Sequence, residues 1–289
     1  MPSPSSTDWV SRLRRWAEHD PNVRLALLVG SQARTETPAD RFSDIDLVIF
    51  ARDPESILSE DGWIDTLGPH WTSHVELNAL GSGKERRVLF EDGQDVDFAV
   101  FPVQHVPNLL TDARTATVLR KGFRVLADKE AVQITVPGGS EPPALPGTAE
   151  FSDLANDYWF HLVWAAKKLR RGERLTALQA TNGYLFAMLV RAARWHALAL
   201  NPTGQEVWHS ARFFERWADP RVIRDLPHAV AGYDDRSIEE ALRAHRTMFL
   251  WLSDELAARL GFPRPLKDAE AVSRYLDQLT EGEGSGGAG

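Results

Sequence analysis

The sequence predicts an α+β protein with an N-terminal mixed-sheet domain over residues 1–135 and a C-terminal helical-bundle domain over 150–281. Residues 136–149 read as a linker and 282–289 as a disordered tail. Three observations lead there. Apolar runs of strand length alternate with turn residues as far as residue 128. The stretch "VPGGSEPPALPGTAE" (136–150) is rich in Pro and Gly and has no periodicity. Beyond it, apolar residues recur at helical spacing almost to the end.

Residues 8–19 read as a helix, because Trp9, Leu13 and Trp16 recur on one face, with Thr7 as its cap. "VRLALLVG" (23–30) is a buried strand, and "SQART" begins a short helix. "DIDLVIFA" (44–51) is a second strand, and "DPESILSEDGWIDTL" opens as a Pro-led helix. "RRVLFEDGQDVDFAVFPV" (86–103) reads as two strands joined around Asp92-Gly93, a hairpin signal. "FRVLAD" (123–128) is a short strand. In the second domain, 150–171 and 174–200 are long helices, and Asp153 in "FSDLAND" reads as a cap. Another helix begins with a Ser237–Glu240 capping box and stops at Gly261. A last helix covers about 268–280, and the tail "EGEGSGGAG" is disordered by composition.

The absence of cysteine excludes disulfides and thiolate–metal sites, and fits a cytoplasmic protein. No apolar run is long enough to span a membrane, and the N-terminus carries no secretory pattern. A net charge of −8 disfavours nucleic acid as the partner and suits a small cationic ligand. A monomer is expected. Nine dispersed histidines without His-x-x-His spacing, His74 among them, speak against a zinc site.

Asp44 and Asp46 stand two apart on a strand, so both carboxylates project from one face while Ile45 and Leu47 point into the core. Like charges side by side repel, and a hard divalent cation such as Mg²⁺ removes the conflict. Its remaining ligands would come from a nucleotide. Gly30-Ser31 precedes the pair at a strand end, where a glycine lets a phosphate approach the backbone and the serine offers a hydroxyl. No Gly-Lys-Ser/Thr follows, which argues against a P-loop. Asp97 lies on a later strand; beside the first pair it could ligate the same metal, take a proton from an attacking hydroxyl, or both.

This order of residues resembles the polymerase-β-like nucleotidyltransferase superfamily. "LFEDGQDVDFAVFP", "FSDLANDYWFHLVWAAKKLRRGE", "DDRSIEEALRAHRTMFLWLSDELAARLGF" and "AVSRYLDQL" further resemble the aminoglycoside 6-adenylyltransferases (streptomycin adenylyltransferases) over about residues 10–280. The resemblance implies transfer of AMP from ATP to an aminoglycoside hydroxyl, with streptomycin as the first candidate and pyrophosphate released. It implies Asp44 and Asp46 as Mg²⁺ ligands, and Asp97 as third ligand, general base, or both. It gives Gly30, Ser31 and Lys167 to ATP, Lys168 being a rival for Lys167. Asn156 and Asp157, where the family has Asn-Glu, fall to the acceptor, whose guanidinium groups favour carboxylates. Gln32 replaces an Arg common in the family, and residues 51–85 match little.

Trp159, Trp164 and Trp195 sit at core positions of helices, though one could line a pocket. Two readings compete with the aminoglycoside enzyme. One keeps the chemistry and changes the acceptor to another small molecule or a protein side chain. The other is a nucleotide-binding relative without catalysis.

Overall fold

The structure, a computed structural model, describes residues 6–34, 39–78, 83–109, 113–134, 136, 144–201, 207, 211–264, 266 and 268–280. The tail 282–289 and much of the linker 136–149 lie outside them. The chain divides into two compact units, Met1–Ser140 and Glu141–Gly289.

The first unit is built on six strands: β1 (Val23–Val29), β2 (Ile45–Ala51), β3 (His70–Leu77), β4 (Lys84–Phe90), β5 (Asp95–Pro102) and β6 (Arg124–Asp128). Their order across the sheet is β3-β4-β5-β2-β1-β6. Only β2 and β5 run parallel; the other pairs are antiparallel, so the sheet is mixed. Among the described residues it is flanked by the helices α1 (Ser6–His19), α2 (Pro54–Ser59), α3 (Ile64–Leu67), α4 (Val106–Leu109) and α5 (Ala113–Arg120).

Strand alternation assigns the two faces. Ala26, Leu28, Ile45, Leu47, Ile49, Val96 and Phe98 pack with Trp9, Leu13 and Trp16 of α1. Leu27, Val29, Phe50 and Phe101 face the other way, against Val106 and Leu119. Trp16 stacks on Trp63 at 4.9 Å, and both present edges to Phe98.

Several local expectations need correction. The first helix starts at Ser6, so Thr7 lies within it rather than at its cap. The Pro-led helix ends at Ser59 and a separate turn of helix follows at Ile64, with Asp53 accepting from Glu55 N at the first N-terminus. Strand β3 was not anticipated. It is an edge strand with mostly exposed side chains, so its sequence lacks the inward apolar alternation that marks a strand. Arg86, 5% exposed, ties this region down: its guanidinium donates to the carbonyls of Ile57, Leu58 and Glu60 at the end of α2 and pairs with Asp61.

The second unit is helical: α6 (Thr148–Arg170), α7 (Arg174–Gln179), α8 (Phe186–Leu200), α9 (Phe214–Trp217), α10 (Pro220–Asp225), α11 (Asp235–Leu260) and α12 (Ala269–Thr280). Helix α6 starts two residues before the expected 150, with Gly147 at its N-cap, so Asp153 is not a cap but an exposed second-turn residue. A π segment, Ala180–Leu185, joins α7 to α8 where one continuous helix was expected. The capping box on α11 is not formed. Asp234 caps instead, accepting from Ser237 N at 2.8 Å; Ser237 Oγ accepts from Gly232 N, and Glu240 binds Arg236. Gly261 ends α11 in the left-handed conformation, as read from sequence. Trp159 and Trp195 are buried and Trp164 half-buried.

Tyr158 Oη on α6 and His245 Nδ1 on α11 share a hydrogen bond of 2.6 Å, and both are fully buried. Burial pushes the His245 ring down to about 4. Between the unfolded value of about 6.5 and that value, the unfolded chain takes up a proton the folded chain refuses. The contribution of this group to stability should therefore fall as pH drops from about 6.5 to about 4, by about 3 kcal/mol. Urea midpoints at pH 7 and 4.5 for wild type and His245→Asn check this: acidification should cost the variant less, or help it more, than wild type.

Candidate active site

Strand register sets a row of side chains across one face of the sheet. Val29 of β1 pairs with Asp46 of β2, Asp46 with Asp97 of β5, and Asp97 with Arg87 of β4. Asp44 sits one residue before β2 and joins them. One carboxylate oxygen from each of Asp44, Asp46 and Asp97 lies within 4.8 Å of the others, and all three residues are half-buried. Parallel pairing of β2 with β5 is what brings the third aspartate alongside the first two.

Gly30 follows β1 with φ +67°, in the left-handed region. A Cβ there would lie 1.8 Å from Asp46 Oδ2. The expected short helix is a single 3₁₀ turn, Gly30–Ala33. Ser31 is buried, its hydroxyl 3.4 Å from the Asp44 carbonyl. Gln32 has a buried side-chain nitrogen with no hydrogen-bond partner among the described residues.

Burial first, then the charges of Asp46, Glu85 and Asp44, push the Asp97 carboxyl up to about 7, against the pull of Arg87. Asp95, nearer the hairpin turn, is raised too, mainly by burial. Crowded, partly desolvated carboxylates favour protons in the absence of a cation, and a hard divalent ion with oxygen ligands fits the donor set. A cavity of about 150 Å³ adjoins the cluster, lined by apolar residues of the same face, among them Val29, Val48 and Phe101, and by Asp46, Asp97 and Glu85.

Sequence reasoning missed Arg87 and Glu85. Glu85 is 7% exposed and accepts from Arg87 Nε and Nη2 at 2.9 and 2.7 Å. Arg87 also pairs with Glu76 at 2.8 Å and with Asp97 at 3.6 Å. The signal that could have found them is hairpin register, which decides the side chains opposite Asp97.

The remaining site residues lie on α6 of the second unit. Asn156 is exposed, and Asp157 borders a groove of about 650 Å³ with Glu150, Asp153, Tyr184 and Arg191. Asp157 accepts from Tyr184 Oη at 2.8 Å and pairs with His161 at 2.6 Å. The π segment is what carries Tyr184. Lys167 is exposed, with Nζ 5.4 Å from the Tyr275 ring centre. Its rival Lys168 is engaged with Glu173 at 2.7 Å.

Comparison with known proteins adds a further line. The sequence profile described as streptomycin adenylyltransferase matches residues 5–279. The chain is 24% identical to aminoglycoside 6-adenylyltransferase of Bacillus subtilis (strain 168) over 275 residues, covering 91% of this chain and 94% of that one. It is 25% identical to aminoglycoside 6-adenylyltransferase of Campylobacter jejuni, covering 90% and 91%. A crystal structure of an aminoglycoside 6-adenyltransferase from Bacillus subtilis aligns over 96% of this chain and 98% of that chain, at 20% identity and TM-score 0.46. A profile that spans both units, together with three converging aspartates beside a glycine turn, makes this chain an adenylyltransferase of the streptomycin adenylyltransferase family.

Proposed function

We propose that the protein transfers AMP from ATP to a hydroxyl of an aminoglycoside, streptomycin first among them, with release of pyrophosphate in the cytoplasm. The observation that carries the reading is the convergence of Asp44, Asp46 and Asp97 within one ion's reach, in a chain matched by the family profile along nearly its whole length. Asp44, Asp46 and Asp97 would hold Mg²⁺, which supplies charge stabilisation to the attacking and leaving oxygens.

The chain's own groups do the rest. Asp97 accepts the proton of the acceptor hydroxyl. Gly30, having no Cβ, lets the Asp46 carboxylate lie directly against the turn, where a phosphate held by the cluster would meet backbone. The Ser31 hydroxyl and the unpartnered Gln32 amide donate toward phosphate oxygens. Lys167 steadies the triphosphate as a point charge. Asn156 and Asp157 bind the acceptor, and the groove, with Glu150, Asp153 and Asp157 against Arg191, which pairs with Glu150, keeps a net negative border that suits a polycation.

Streptomycin incubated with the protein, ATP and Mg²⁺ should gain an adenylyl mass by mass spectrometry. With labelled ATP and a panel of hydroxylated acceptors, label on another compound and none on streptomycin would redirect the assignment. Asp157→Asn should raise the acceptor KM by about tenfold with kcat changed far less, because it removes a binding charge and not the reacting groups. Steady-state kinetics with the acceptor varied at saturating ATP checks this.

A further inference from the structure

We propose that Arg87 is a tethered cation that sets how tightly the acidic cluster holds its divalent ion, with Glu85 and Glu76 as the tethers; the inference rests on the metal-site reading of that cluster. Arg87 and Asp97 are paired residues of adjacent antiparallel strands, so the backbone fixes them side by side on the catalytic face. The guanidinium does not close on Asp97. Its Nε and Nη2 both bond the buried Glu85, its Nε also pairs with Glu76, and the approach to Asp97 Oδ2 stops at 3.6 Å. That is an ion-pair distance but too long for a hydrogen bond.

Two consequences follow from the charges. A fixed positive group beside Asp97 opposes a divalent ion arriving alone, so the bare cluster binds it weakly. An ion that arrives with nucleotide phosphates brings negative charge with it and meets less opposition. The tethers keep this opposition moderate. Released from Glu85 and Glu76, an arginine facing a carboxylate would close into the bidentate pair the two groups favour and cover Asp97. Arg87 touches neither ATP nor acceptor in this account. It is a positioning residue that acts through Asp97.

Opposite signs test the idea. Mn²⁺ alone is titrated into the full chain, with free ion counted by electron paramagnetic resonance. Arg87→Met should tighten binding about three- to tenfold, a modest gain because the guanidinium is partly exposed. Arg87→Lys keeps the charge but loses the two-nitrogen hold on Glu85, so it should bind no tighter than wild type. Glu85→Gln and Glu76→Gln, which loosen the tethers, should weaken binding about threefold. Arg87→Met that binds no tighter than wild type overturns the proposal, as does Glu85→Gln that binds as well or better. Should Arg87→Met fail to fold by circular dichroism, the tether variants carry the test alone. The underlying metal-site reading fails separately: wild type would then bind no Mn²⁺, or Asp46→Asn would bind it as wild type does.

Discussion

Asp97→Asn should cost about 10²–10⁴-fold in turnover while the protein stays folded. The substitution keeps the size and shape of the side chain and removes its charge. On the proposed reading it therefore removes a metal ligand and the proton acceptor together. The carboxyl it replaces already sits up to about 7, raised by burial and by Asp46, Glu85 and Asp44 against the pull of Arg87. Neutralising it relieves repulsion, so the metal-free variant should melt no lower than wild type. Thermal melts without metal and adenylyl transfer with Mg²⁺ check the two halves. Undiminished turnover in a folded Asp97→Asn would remove Asp97 from the chemistry.

Gly30→Ala should be nearly as damaging for a different reason. The new methyl would stand 1.8 Å from Asp46 Oδ2, so the carboxylate or the turn must move by an ångström or more. Displacement on that scale costs about 10²-fold in an oriented site. The left-handed φ of +67° adds about 1–2 kcal/mol of strain. Gly93→Ala separates the two effects. Gly93 also has positive φ, +87°, but a Cβ there meets nothing within 4 Å. That variant should lose a similar amount of stability and keep full activity, by parallel urea titrations and rate measurements.

Much of the site was legible because alternation along a strand is a local rule. Asp44-x-Asp46 between apolar strands declares a shared face by itself, and Gly30-Ser31 declares a turn. Arg87 was not legible, and the reason is one residue of hairpin register. The signal at Asp92-Gly93 fits a two-residue loop or a three-residue one. Phe90 N bonds Gln94 O, so the loop is Glu91-Asp92-Gly93, and Arg87 falls opposite Asp97. The shorter loop would have turned Arg87 to the other face. Strand β3 escaped notice because an exposed edge strand has no inward stripe. Asp153 and Ser237 misled because each is a good capping residue near a helix start that another residue begins: Gly147 for α6 and Asp234 for α11. Composition names residues that can cap, and only tertiary packing decides which one does.

The one parallel pairing in the sheet joins β2 to β5, and the polypeptide must leave one and complete β3 and β4 before it can lay down the other. Hairpins assemble quickly and locally, whereas closure of that distant seam is slow. During refolding, then, helical signal and hairpin protection should return first and catalytic competence last. A partly unravelled chain would hold Asp97 away from Asp44 and Asp46, and the three-carboxylate cluster would exist only once that seam has closed.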